Sequence, residues 1–313
     1  MIGKWGFSLL PFYLGIIPIF ANNNYTLTFT ENIGYDKGSC CYPICLGTDK
    51  NSYSRQRMQY IKYRTGDASM QNICLTLQYD GTRYLGWNRP EKDGQHKTIS
   101  YKITETLKKL TGEDITLYGG AKTDPGVHAM SQTASFRTGS SVSADDLRRM
   151  LNKYLPRDIF IQKAKTMPER FRADLNAASR TYEYRICTAR VYNIFTAAYE
   201  AHIFPAPDVD AMKQASVFLL GKHNFRPFTP GRKKKGTERE IHDITFRQDE
   251  DLLTVRFTAD DFLYQMPAVL AGTLLEAGLG IRTPESIKKI FTGEEKAGAP
   301  LEAKGLLLEN IRY

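Results

Sequence analysis

Cysteine and histidine are scarce, at five residues each in a chain of 313. The cysteines stand at positions 40, 41, 45, 74 and 187, an odd total with three of them crowded near the N-terminus. That pattern excludes a disulfide-stapled scaffold and fits a reducing, cytoplasmic setting. No histidine lies near Cys40, Cys41 and Cys45, and the run has no second ligand pair, so no zinc site is expected there. A membrane-length apolar run is also missing. The uncharged stretch from Trp5 to Ala21 follows Lys4, spans 17 residues and is broken by Pro11 and Pro18. It has the look of a signal h-region without a clear small-x-small cleavage site, and it is a poor membrane span.

Acidic residues are the minority. Asp and Glu total 34 against 43 Lys and Arg, leaving a net charge of +9. Such an excess favours an anionic partner, and nucleic acid is the commonest one. With 42% hydrophobic and 25% charged residues, collagen, coiled coil and a wholly disordered chain are excluded. Residues 1–69 are turn-rich and carry no sustained period. They are expected to be a disordered N-terminal extension or the product of a start assigned too far upstream, with Met58 and Met70 as alternative starts. An envelope protein anchored by residues 1–21 is the competing reading of this segment. The rest of the chain keeps a net charge of +6, so the basic character does not depend on the extension.

From residue 70 the text is periodic. Ile73, Leu75, Leu77 and Tyr79 alternate with polar partners as a half-buried strand. Ile99, Ile103, Leu107 and Leu110 recur at helical spacing and stop at Gly112. Ile115 and Leu117 begin a second strand, and Ala134 and Phe136 mark a third. Ser143 with Asp146 opens a helix carrying Leu147, Met150, Leu151 and Tyr154, and residues 159–161 form a fourth strand. The order β-α-β-β-α-β then repeats. Tyr182, Tyr184 and Ile186 make a strand, Asp208 caps a helix, and residues 241–246 and 253–257 make two more strands. Phe262 to Ala277 reads as a helix, a short one opens at Thr283-Pro284-Glu285, and Gly305 to Ile311 closes the chain. The expected fold is α+β, with two tandem ferredoxin-like (βαββαβ) halves and antiparallel sheets side by side. The expected domains are 1–69, 70–170 and 171–313, and sheets of this class often take RNA on their open face.

The loop between the second and third strands reads Gly119-Gly120-Ala121-Lys122-Thr123-Asp124-Pro125-Gly126-Val127-His128-Ala129. On turn chemistry alone, Asp124 is a turn residue ahead of a proline corner, and His128 is a structural hydrogen-bonder. The loop nevertheless resembles the signature of the TruA family of tRNA pseudouridine synthases, Gly-Arg-Thr-Asp-Ala-Gly-Val-His-Ala. Further matches follow in the family's order: Tyr79 to Trp87 resembles its first-strand signature, Ser179 to Arg185 its Tyr-x-Tyr strand, and Gly221 to Phe225 its Gly-x-His-Asp-Phe turn. Phe262 to Met266 with Gly272 to Leu275 resembles its last long helix. Ala299-Pro300 with Gly305 to Leu308 resembles its closing strand. The matches cover nearly all of 70–313 and nothing before.

The resemblance implies two ferredoxin-like halves about a central cleft. It also implies an isomerase that converts uridine to pseudouridine in the tRNA anticodon stem-loop, at nucleotides 38 to 40, without metal or other cofactor. It makes Asp124 the nucleophile and Tyr182 the residue that lies against the base and removes the C5 proton. Lys122 stands where the family has the arginine that helps displace the target base, and His128 and Arg172 fall in substrate-binding motifs. Arg232, Lys233, Lys234 and Lys235 lie in a basic loop, Arg226 to Arg239, suited to phosphates, and Arg83 and Arg89 beside Trp87 are weaker candidates of that kind. Family members are usually homodimers.

The sequence departs from the family at the nucleophile's partner. The family's Met-Val-Arg-Asn reads Met266-Pro267-Ala268-Val269, so Ala268 replaces the arginine expected beside Asp124. The family's Phe-His-Ala-Arg is Phe171-Arg172-Ala173-Asp174, Ser100 replaces a glutamine, and Pro125 replaces an alanine. Arg172 and Lys122 are the candidates for the missing cation. The alternative reading is a tRNA-binding paralogue with weakened or lost catalysis.

Overall fold

A computed structural model describes residues 39–44, 59–64, 70–88, 94–191, 193–231 and 235–313, the first two segments as backbone only. The chain divides into two units, residues 1–37 and 38–313, and the described residues all belong to the second. The suggested anchor at 1–21, most of the 1–69 extension, Cys45 and the alternative start Met58 lie outside the described residues. Within 1–69, β1 (Ser39–Ile44) and β2 (Gln59–Arg64) pair as an antiparallel two-stranded sheet.

The periodic region begins with β3 (Gln71–Tyr79), α1 (Ile99–Thr111), β4 (Tyr118–Gly119), β5 (His128–Thr138), α2 (Ala144–Tyr154) and β6 (Ile159–Met167). It continues with β7 (Ser179–Cys187), β8 (Ala201–His202), α3 (Val209–Ser216), β9 (Gly221–Asn224) and β10 (Glu238–Asp249). It ends with β11 (Leu252–Ala259), α4 (Met266–Gly278), α5 (Ser286–Thr292) and β12 (Leu306–Arg312). The fold is α+β with one large, mostly antiparallel sheet. Its ten strands run β6-β3-β5-β12-β7-β11-β10-β9, with β4 on the flank of β5 and β8 on that of β7. The two strand groups expected side by side are therefore hydrogen-bonded into one sheet by β12, which pairs antiparallel with β7 and parallel with β5.

Local chemistry accounts for most element ends. Thr98 caps α1 by accepting from Tyr101 N–H, and Gly112 stops the helix in the left-handed region at φ 76°. Ser143 and Asp146 form the reciprocal cap of α2, and Asp208 caps α3. One face of α1 (Ile99, Ile103, Leu107, Leu110) and Leu147 and Leu151 of α2 bury themselves on the sheet. Each such side chain contributes about 1.5–3 kcal/mol on leaving water. Helix α4 is buried nearly all round, and the carbonyl of Ala299 approaches so closely that a Cβ at Gly272 would lie 2.0 Å from it. Among the described residues, no helix is long and apolar enough to cross a membrane.

Two boundaries differ from expectation, and both matter for the site. The second strand is only Tyr118–Gly119, because Ile115 and Leu117 pack on the core without a ladder partner. Helix α4 starts at Met266 rather than at Phe262. Pro267 has no N–H and its ring excludes the preceding turn, so it fits only in the first turn, where it stands. Residues 262–265 are consequently an irregular segment, ending in Gln265 with left-handed backbone at φ 55°.

Candidate active site

The loop from Gly120 to Val127 joins β4 to β5. Asp124-Pro125-Gly126-Val127 closes as a β-turn, with Val127 N–H donating to the Asp124 carbonyl at 3.2 Å. Gly126 at φ 79° occupies the corner that demands a left-handed residue after proline. The rest of the loop is held by the strand signature some forty residues upstream. Trp87 N–H donates to the Thr123 carbonyl at 3.0 Å, Gly126 N–H to the Tyr84 carbonyl at 3.2 Å, and the Tyr79 hydroxyl meets Thr123 Oγ1 at 2.7 Å. Buried Gln132 braces Ala121 from both sides, accepting from its N–H at 3.1 Å and donating to its carbonyl at 2.9 Å. Two motifs that look independent in the sequence thus build one rigid loop.

Gly86 shows how tight that support is. It sits at φ 85°, and a Cβ there would lie 2.4 Å from the Thr123 carbonyl oxygen and 3.0 Å from the Asp124 carbonyl carbon. Gly86→Ala should therefore cost about 2 kcal/mol or more, from strained backbone and clash together. A thermal melt of the variant against the wild-type chain should show it.

The Asp124 side chain is half-buried, and Gln265 N–H donates to its Oδ2 at 3.0 Å. Burial pushes its carboxyl up to about 6, and the Gln265 hydrogen bond pulls the other way. Among the described residues no Lys, Arg or His forms an ion pair with it. Asp124 opens onto a cavity of about 1030 Å³ shared with Lys122, Tyr182 and Phe262. Tyr182 is buried, its ring edge-on to Phe262 with centroids 5.1 Å apart. Burial, and then the charge of Asp124, raise its hydroxyl well above the ordinary tyrosine value, so it is a neutral phenol.

The structure brings Asp124, Tyr182 and Lys122 together on this cavity, with Lys122 exposed at its wall. It does not bring His128 there. His128 is buried at the start of β5, where its Nδ1 accepts from Gly81 N–H at 3.1 Å and its ring packs 5.1 Å from that of Tyr199. Burial lowers its imidazole below the usual value, against the pull of Asp80. Arg172 is committed elsewhere. It pairs with Asp174 at 2.7 Å and stacks on the Tyr118 ring at 4.0 Å, so it is not the cation for Asp124. Lys235 is exposed, whereas Arg89, Arg232, Lys233 and Lys234 lie outside the described residues.

Several wall residues carry no signal that composition or spacing reveals. Arg180 is buried, donates to the Gly120 carbonyl at 3.0 Å and to the Asp260 carbonyl, and lies 3.5 Å from Asp261. It ties the loop to the segment that leads into α4. Arg239 reaches Asp261 from the other side at 3.4 Å. Arg180 stands inside the Ser179-Arg180-Thr181-Tyr182 motif, which was the available clue. Gln265 acts through its backbone, which no residue type announces. Among the described residues, no group of three or more His, Cys, Asp and Glu is arranged to hold a metal ion.

Comparison with known proteins gives a consistent answer. A family model described as tRNA pseudouridine synthase matches residues 76–175 and 215–313. The chain is 35% identical over 246 residues to tRNA pseudouridine synthase A 2 of Clostridium tetani (strain Massachusetts / E88), covering 78% of this chain and 99% of that protein. It is 38% identical over 247 residues to tRNA pseudouridine synthase A 1 of the same organism, covering 78% of this chain and 100% of that protein. It is 37% identical over 248 residues to tRNA pseudouridine synthase A of Caldicellulosiruptor bescii (strain ATCC BAA-1888 / DSM 6725 / KCTC 15123 / Z-1320), with the same coverage. A chain in the crystal structure of a Cbf5-Nop10-Gar1 complex matches at 14% identity and TM-score 0.32, covering 75% of this chain and 48% of that one, too distant a likeness to carry an argument. With a rigid aspartate loop facing a buried tyrosine and relatives matched along essentially their whole length, the chain belongs to the TruA family of tRNA pseudouridine synthases.

Proposed function

We propose that Asp124 is the nucleophile with which this chain isomerises uridine to pseudouridine in tRNA. One observation carries the reading: a half-buried carboxylate opens onto a cavity of about 1030 Å³ that also holds the phenol of Tyr182. That space admits a nucleotide extruded from its stack. The Asp124 carboxylate attacks C1′ of the ribose as the bond to uracil N1 breaks. The freed uracil turns, C5 bonds to C1′, and the carboxylate departs. The C5 proton then leaves, Tyr182 being the group at hand, and N1 ends protonated, so no atom is gained or lost. Only the ionised carboxyl attacks. The acid limb of kcat/KM should therefore lie near pH 6, with rates falling about tenfold per pH unit below it.

Other parts of the reading rest on the architecture. With the short strands β8 and β9 set aside and the rest numbered within each half, β6-β3-β5-β4 and β12-β7-β11-β10 share the order 4-1-3-2, which favours two ferredoxin-like halves, 70–170 and 171–313, flanking a central cleft. Lys122, Arg172 and Lys235, with Arg232, Lys233 and Lys234 of the same basic loop, are assigned to the RNA backbone, which they position without reading sequence. His128 is assigned to holding the loop. The substrate assigned is the anticodon stem-loop at nucleotides 38 to 40, and the working form a cytoplasmic homodimer.

A weakened or inactive tRNA-binding paralogue is the second reading. It is favoured by Ala268 and by the lack of an ion pair to Asp124 among the described residues. Tritium release from tRNA labelled at uridine C5 separates the two. Release by the wild-type chain but not by Asp124→Asn supports the enzyme, and background release from both leaves only the binding protein.

A further inference from the structure

The Tyr264–Gln265 peptide is gripped at both ends. Its N–H donates to Asp124 Oδ2 at 3.0 Å, and its carbonyl accepts from the Thr229 hydroxyl at 2.7 Å. The same hydroxyl accepts from Gly231 N–H at 3.1 Å, so its one proton is committed to Tyr264. Thr229 is buried, on the stretch between β9 and β10, and lies on the cavity wall. The peptide it holds precedes the first turn of α4, and Gln265 there adopts a left-handed conformation that a residue with a Cβ disfavours by about 1 kcal/mol or more. A strained peptide keeps one orientation only when something outside it decides the matter. Here that is a hydrogen bond on its carbonyl face.

We propose that Thr229 is a positioning residue for the nucleophile: its hydroxyl aims the Tyr264–Gln265 peptide so that the Gln265 N–H stands on the Asp124 carboxylate, the role a side-chain cation would otherwise fill. The chain of contacts runs hydroxyl, carbonyl, N–H, carboxylate. Bonds in such a line polarise one another in the same sense. The N–H dipole, backed by the N-terminal end of α4, then favours the ionised carboxyl. This inference rests on the reading of Asp124 as nucleophile. The other charged and titratable groups on the cavity are Lys122 on the same loop, Asp174 ahead of β7, Arg180 and Tyr182 of β7, Arg239 of β10, and Asp261 and Tyr264 ahead of α4. Removing one methyl-sized hydroxyl at 229 leaves all of them in place.

The test uses the full chain with Thr229→Val, nearly the same shape without the hydroxyl, and Thr229→Ser, which keeps it. Two readouts are taken: the pH profile of tritium release, and direct titration of the Asp124 carboxyl by carbon-13 NMR, assigned by its loss in Asp124→Asn. Thr229→Val should move both the acid limb and the carboxyl titration up by about one pH unit. At pH 6.5 that lowers kcat about threefold with KM unchanged, and Thr229→Ser should restore both. A Thr229→Val enzyme with wild-type limb and titration overturns the proposal. So does equal loss of rate in both variants with the titration unmoved, which marks a merely structural residue. If instead Asp124→Asn remains active, the nucleophile assignment fails while the NMR titration still reports on the Thr229 relay.

Discussion

Asp124→Asn should bring tritium release down by at least about 10⁴-fold while making the folded chain more stable at neutral and alkaline pH. The activity half follows from the loss of the attacking oxygen. The stability half follows from the carboxyl being held at about 6 against an ordinary 3.8. The fold favours the neutral form, so the contribution of this group to stability is full below about pH 4 and is lost as pH rises through about 6. Asparagine is neutral throughout, and its carbonyl still accepts from Gln265 N–H. Wild type and variant should therefore melt together as pH falls towards 4. They should separate above 6, with the variant more stable by about 2 kcal/mol after allowing for partial exposure of the carboxylate. For a chain of this size that is about 3 °C in Tm. Melting curves across pH 4.5–8 check it. Parallel curves would mean that the carboxyl is not desolvated, and the cavity would then not hold the nucleophile as described. An inactive but more stable variant is the expected mark of a group kept for chemistry at the expense of the fold.

Much of this arrangement is legible in the sequence because it is written in short-range patterns. The alternation of Ile73 to Tyr79 and of Tyr182 to Ile186, the helical spacing of Ile99 to Leu110, and the caps Ser143 and Asp208 are each local statements of backbone geometry. What is not legible depends on distant partners. Nothing in Leu306–Arg312 announces that the strand will pair with both β7 and β5, because the choice of neighbour is made by packing. The start of α4 was readable in principle. A mostly apolar run offers no clear helical stripe, but Pro267 demands the first turn, and the helix begins one residue before it. At the site, Asp124 and Tyr182 announce themselves by motif and Ala268 announces a loss. The replacement, a backbone N–H in a left-handed residue, is invisible because every residue but proline has one. His128 misleads for a related reason: it belongs to the motif, yet its side chain points into packing against Gly81 and Tyr199.

Tyr182→Phe isolates the hydroxyl to which the final proton transfer is assigned. The ring is buried and edge-on to Phe262, and phenylalanine keeps that packing. Binding of tRNA should therefore stay within about twofold, whereas kcat should fall about 10²–10⁴-fold, the usual worth of a placed proton carrier. Tyr182→Ala removes the stacking surface as well, and should weaken tRNA binding by a further 1–3 kcal/mol or so, the value of one base on an aromatic ring. The pH dependence gives an independent check. Burial and the neighbouring Asp124 charge hold the phenol neutral well above the ordinary range, so no alkaline limb from Tyr182 should appear below pH 10. On this reading the neutral hydroxyl gives its own proton to the freed Asp124 carboxylate as it accepts the C5 proton, rather than waiting as a phenolate. Single-turnover measurements sort the steps: with Tyr182→Phe, tritium release should lag behind breakage of the bond to N1. Simultaneous loss of both would move Tyr182 from proton transfer to holding the base for the first attack.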